Sequence, residues 1–209
     1  MSIAERLSRA RLYLVIDAAA AERVVPPALE GGVDLVQLRE KSAPDDEIVA
    51  TARRLRAFCG QQSALFILND RPDLAMACGA DGVHVGQEDM PLGEARAIVG
   101  DERIVGISTH SPEQVDAALA SDADYFAVGP VYSTPTKPGR PPVGLELVRY
   151  TAALGAGKPW FAIGGIDQDN VAAVAEAGAT RIVVVRAIRN APDPRAAAAA
   201  LRLEEAHVR

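Results

Sequence analysis

The chain has 209 residues, 49% of them hydrophobic and 24% charged, with a formal charge of −6 and a pI near 5.1. That length and balance suit one globular domain that buries its core without disulfide or metal staples, and they exclude a largely disordered chain. The acidic charge excludes a general nucleic-acid binder, which needs a basic face, but leaves room for a basic pocket that takes small phosphorylated substrates.

The N-terminus carries Arg6, Arg9 and Arg11 ahead of a short apolar run. The run is too short for a signal peptide, and Asp17 closes it. No stretch is long enough to span a membrane. A cytoplasmic protein with no membrane partner is expected, and a homo-oligomer is left open. Further along, apolar runs recur, giving the set 12–16, 33–38, 64–68, 82–85, 104–107, 125–128, 160–163 and 181–185. They are nearly continuous rather than alternating, as strands buried on both faces of a parallel sheet are.

Helical periodicity fills 46–59, 113–119, 145–154, 170–177 and 195–203. Asp45 and Asp167 are expected N-caps. Ser111-Pro112-Glu113-Gln114 reads as a capping box with proline in the first turn. Gly79, Gly100 and Gly178 stand where a left-handed residue ends a helix. Cys59 and Cys78 have no metal-ligand spacing and read as free buried thiols in a reducing compartment.

Eight strands alternating with helices predict an α/β protein, a single (β/α)8 barrel over 1–209. The alternative, an open doubly wound sheet, wants a glycine-rich turn after the first strand. Here Asp17-Ala18-Ala19-Ala20 stands in its place.

In such a barrel the site gathers at the C-terminal strand ends. There the chain places Gln37, Leu38, Arg39, Glu40 and Lys41, then Asn69 and Asp70, then Gln87 and Asp89, then Ser108, Thr109 and His110. Later ends bring Gly129, Thr134, Thr136, Lys137, the pair Gly164-Gly165, and Arg186. Cationic forks suit phosphate oxygens, and paired carboxylates suit a hard cation. No activated nucleophile stands among them, so charge neutralisation is favoured over covalent catalysis. Asp70 and Asp89 each precede a proline and could simply favour a helix start. Their joint occurrence on neighbouring strands points instead to Mg²⁺. Gly164-Gly165 occupies the usual phosphate position of the fold. His84, mid-strand, is expected to be a core histidine enclosed away from the site, while His110 is left open between core and site. The segment 133–142 reads as a lid.

These motifs together resemble the thiamine phosphate synthase family. The resemblance is carried, in order, by Val36 to Lys41, Asn69-Asp70-Arg71, Asp81 to Asp89, Gly106 to His110, Gly129 to Lys137, and Ala162 to Ile166. It implies that 4-amino-2-methyl-5-hydroxymethylpyrimidine diphosphate is condensed with a thiazole phosphate, giving thiamine phosphate and diphosphate. By position it implies that Gln37, Leu38, Arg39, Glu40, Lys41, Asn69, Ser108 and Lys137 hold the pyrimidine diphosphate, with Arg39, Lys41 and Lys137 assisting its departure. Asp70 and Asp89 would bind Mg²⁺. Thr134, Pro135, Thr136, Gly165, Val185 and Arg186 would hold the thiazole phosphate. Arg186 departs from the serine common in the family. The rival readings are a thiazole tautomerase on the same fold and a non-catalytic sensor of phosphorylated metabolites, neither of which needs the full set of charged positions.

Overall fold

Strands buried on both faces and each followed by a helix can close the sheet on itself inside a helical coat. The structure, a computed structural model that describes residues 1–134, 141–155 and 157–203, adopts this arrangement. The strands are β1 Leu12–Ile16, β2 Leu35–Leu38, β3 Leu65–Asn69, β4 Gly82–Val85, β5 Ile104–Thr109, β6 Tyr125–Val128, β7 Trp160–Ile163 and β8 Ile182–Val184. Each pairs in parallel with the next, and β8 closes on β1. The described helices are α1 Ile3–Arg9, α2 Ala18–Glu30, α3 Asp45–Gln61, α4 Pro72–Cys78, α5 Leu92–Val99, α6 Pro112–Ala120, α7 Gly144–Ala153, α8 Val171–Glu176, α9 Arg186–Arg189 and α10 Pro194–Leu201.

The core has two layers. Leu12, Leu14, Val36, Phe66, Val83, Val105, Phe126 and Ala162 face outward and pack under the helices. Tyr13, Leu35, Leu65, Ile67, Ile104, Tyr125, Phe161 and Val183 face inward and fill the barrel. Burying each large apolar side chain contributes about 1.5–3 kcal/mol, so both layers drive closure.

The floor is sealed by α1, which lies outside the helices expected from periodicity. Leu7 and Ala10 join the inner cluster. Arg6 reaches Asp81 at 3.2 Å and the carbonyl of Ala64 at 3.2 Å. The buried Asp81 also accepts the Phe66 N–H at 2.9 Å. A sealed floor leaves the opposite end of the barrel for ligands.

Cap details differ from expectation. Asp45 is the first helical residue of α3, and Pro44 holds the cap position. Asp167 accepts the Asp169 N–H, one turn before α8 begins. Ser111 does cap α6, but Gln114 completes the box one residue early, accepting from the N–H of His110 at 2.7 Å. Helix α2 contains Pro26 and Pro27, each of which removes a helix donor and obscures its periodicity. Cys59 and Cys78 are free and buried. Burial pushes the Cys59 thiol up to about 12, which leaves it inert. Among the described residues no helix is long and apolar enough to cross a membrane.

Candidate active site

The open end of the barrel holds a cavity of about 320 Å³. Because side chains alternate along a strand, most strands offer it every second residue, while β8 and its end line it continuously from Val183 to Val185. From β2 the lining residues are Gln37 and, just beyond the strand, Arg39; from β3 Asn69, from β4 His84, and from β5 Ser108. On the other side stand Val15, Ala127, Ile163, Val183 and Val185, with Gly129, Gly164 and Gly165 at the rim.

A chain of buried hydrogen bonds crosses the barrel beneath this cavity. Gln37 Nε2 donates to the hydroxyl of Tyr13. The Tyr13 and Tyr125 hydroxyls are 2.9 Å apart, and the Tyr125 hydroxyl is 3.0 Å from His84 Nδ1. His84 Nε2 is 2.9 Å from Ser108 Oγ. Burial pushes both phenols well above their ordinary value, so they remain O–H groups. Gly106 makes room for Tyr125, since a Cβ there would lie 2.1 Å from the phenol ring.

Beside the cavity, Asp70 follows β3 in a left-handed conformation, φ 60°. Its N–H donates to the carbonyl of His84 at 2.8 Å. Lys41 Nζ lies 3.2 Å from its Oδ2. Asp89 turns back to accept the Gly86 N–H at 3.0 Å. Burial first, and then the like charge of Asp89, raise the Asp70 carboxyl above its usual range, against the pull of Lys41. Two carboxylates crowded in this way suit a cation between them. Among the described residues no group of three or more acidic, histidine or cysteine side chains is gathered as a metal site would be. Arg71 braces the next turn, forking onto Asp45 at 2.7 and 2.8 Å and onto Asp73 at 3.0 and 2.7 Å.

The expected site residues separate in space. Gln37, Arg39, Asn69, Ser108, Thr134, Gly165, Val185 and Arg186 line the cavity. Asp70, Asp89 and Lys41 form the charged cluster beside it. The Leu38 side chain points the other way, into the outer core, so only its backbone can serve a ligand. Glu40 folds onto its own loop, accepting from the Lys41 N–H at 3.0 Å and the Ser42 N–H at 3.1 Å. Pro135, Thr136 and Lys137, and with them most of the expected lid, lie outside the described residues. His84 is buried and hydrogen-bonded as a core histidine, but it is not enclosed away from the site: it lines the cavity floor. His110, left open, also lines the cavity, with Nδ1 bonded to the Gly129 carbonyl. Tyr13, which lines the cavity, and Tyr125, buried beneath it, were not expected at the site. The only sequence signal for them is a tyrosine in a fully apolar strand, inside β1 for Tyr13 and at the start of β6 for Tyr125, whose hydroxyl needs a buried partner.

Comparison with known proteins gives a consistent result. A family profile described as thiamine monophosphate synthase matches residues 12–188. A thiamine-phosphate synthase of Saccharopolyspora erythraea is 52% identical over 211 residues, covering 96% of this chain and 95% of that protein. One of Gloeobacter violaceus is 55% identical over 190 residues; the alignment covers 90% of this chain and 55% of that longer protein. Among solved structures, a thiamine phosphate pyrophosphorylase from Pyrococcus furiosus superposes with a TM-score of 0.83 at 34% identity, covering 96% of both chains.

Proposed function

The chain belongs to the thiamine monophosphate synthase family, a family of transferases, and on that premise we propose that it joins an aminopyrimidine diphosphate to a thiazole phosphate. The products are thiamine phosphate and diphosphate. The observation that carries this reading is the asymmetry of the cavity. One wall offers Arg39, Asn69 and Ser108 beside the Lys41–Asp70–Asp89 cluster, and no activated nucleophile stands on it.

That wall suits a leaving group with several negative charges. Arg39 would bind diphosphate oxygens, and Lys41, paired with Asp70, would add a second cation beside them. Asp70 and Asp89 would hold Mg²⁺, which when bound neutralises diphosphate charge. The C–O bond to the methylene carbon breaks, and its electron pair leaves with the diphosphate. The pyrimidine amino group delocalises the positive charge left behind. The thiazole nitrogen then donates its lone pair and forms the C–N bond, so the protein contributes no nucleophile. Thr134, Gly165 and the Val185–Arg186 backbone would hold the thiazole phosphate. Lys137, outside the described residues, is expected to join the cations on the diphosphate.

The test is direct. Purified protein is mixed with both substrates, with and without Mg²⁺, and thiamine phosphate is measured. Product only with metal is expected. Full turnover in excess chelator would remove the metal from the reading, and no product under any condition would remove the reaction.

A further inference from the structure

We propose that Tyr125, together with Tyr13 and His84, is a positioning residue that fixes the hydrogen-bond polarity of Gln37 and Ser108. The cavity then presents an acceptor at Gln37 and a donor at Ser108. This rests on the proposed reaction, in which the ligand at that wall is an aminopyrimidine.

The argument is one of donors and acceptors. A carboxamide nitrogen only donates, so Gln37 Nε2 makes the Tyr13 oxygen an acceptor. The Tyr13 proton is then directed to Tyr125, and the Tyr125 proton to His84 Nδ1. An imidazole that accepts at Nδ1 carries its proton at Nε2 when neutral, and that N–H donates to Ser108 Oγ. The Ser108 proton is left to point at a ligand. At the other end, Gln37 Oε1 is left to accept. Every link is buried: Tyr125 is 0% exposed, Tyr13 1%, Gln37 4%, and His84 and Ser108 7% each. Water therefore has little access to break the sequence of donors, and reversing one link requires reversing all of them.

The polarity matches the ligand class. An aminopyrimidine carries an exocyclic amine, a donor, beside a ring nitrogen, an acceptor. As the C–O bond breaks, the amine becomes more positive and its N–H a better donor. An acceptor fixed at Gln37 therefore binds the transition state more tightly than the ground state. No proton moves along the chain during the reaction. Gly106 fits the same picture, because any side chain there would displace the Tyr125 ring.

Three measurements test it. In the wild-type protein, ¹⁵N NMR should show His84 as the Nε2–H tautomer without any substrate; the Nδ1–H tautomer would overturn the polarity whatever the reaction proves to be. With both substrates, Tyr125→Phe should lower kcat about tenfold, the scale of one lost hydrogen bond, and leave the KM for thiazole phosphate within about twofold. Wild-type kinetics, or an equal rise in both KM values, would overturn it. Tyr13→Phe breaks the same chain at another link and serves if Tyr125→Phe does not fold. The double variant should be no worse than either single one, because a chain is broken once; additive losses would mean two independent packing roles. If the wild-type protein makes no thiamine phosphate, the reaction has failed and the tautomer still decides the polarity.

Discussion

Strands β2 to β5 send Gln37, Asn69, His84 and Ser108 into the cavity, whereas β6 to β8 and β1 send Ala127, Ile163, Val183 and Val15 toward the same space. The first half presents polar side chains, with Arg39 on its rim and Lys41, Asp70 and Asp89 clustered beside it, while the charged residues that the second half brings to the lining are Asp167 and Arg186. The second half brings backbone to the cavity edge at Gly129, Gly164 and Gly165. On the proposed reaction, the difference would separate two tasks. A departing diphosphate needs cations close to the charge that develops. A phosphate that is only held can be met by exposed N–H groups, with apolar walls around the ring it carries.

The largest expected effect breaks the charged half. Arg39→Ala should lower kcat on the order of 10²-fold or more, the usual loss when one electrostatic stabiliser is removed. The KM for thiazole phosphate should stay near its wild-type value. Steady-state kinetics with each substrate varied in turn check this. A pure KM effect would mean that Arg39 gathers substrate and does nothing for its departure.

Asp70 sharpens the comparison in a second way, through stability. Its carboxyl titrates above the ordinary range because it is buried beside Asp89. A raised carboxyl stabilises the fold only in its protonated form, and this contribution is lost as pH rises through the folded value. At neutral pH without metal, the ionised Asp70 therefore opposes folding. Asp70→Asn keeps a residue type that tolerates the left-handed backbone at φ 60°. It should raise the melting temperature of the metal-free protein while Mg²⁺-supported turnover collapses. A lower melting temperature would show that the Lys41 pair outweighs the crowding.

A smaller effect is expected in the backbone half. Gly165 has φ 66°, and a Cβ there would lie 2.7 Å from the Tyr132 Cβ. Gly165→Ala should cost about 1–2 kcal/mol for the left-handed conformation and raise the KM for thiazole phosphate selectively. Isothermal titration with each substrate separates the two walls, and equal weakening of both would erase the distinction.

The smallest effect is expected at Arg186. It opens α9, lines the cavity and is exposed. If this half works through backbone, Arg186→Ser should be nearly silent. A selective loss of thiazole phosphate binding of about 1.5–3 kcal/mol would instead assign a charged hydrogen bond to the guanidinium.

The sequence by itself determined the barrel. Eight apolar runs separated by helical segments admit few other closures, and the strand ends that carry charge follow from the order of residues alone. Asp70 and Asp89 were legible as a pair because each stands in the polar stretch that follows its strand. What the sequence could not show was the facing of each strand residue. A strand buried on both sides has no polar alternation to mark its inner face, so Gln37 and Leu38 looked alike as site residues, and only closure turned one into the cavity and the other into the outer core. The same ambiguity concealed α1 as the floor, since Arg6 finds Asp81 far along the chain. Tyr13 and Tyr125 are separated by 112 positions, yet their hydroxyls meet at 2.9 Å inside the barrel. Local propensity acts over a few residues, and a contact that spans half the chain exists only once the sheet has closed on itself.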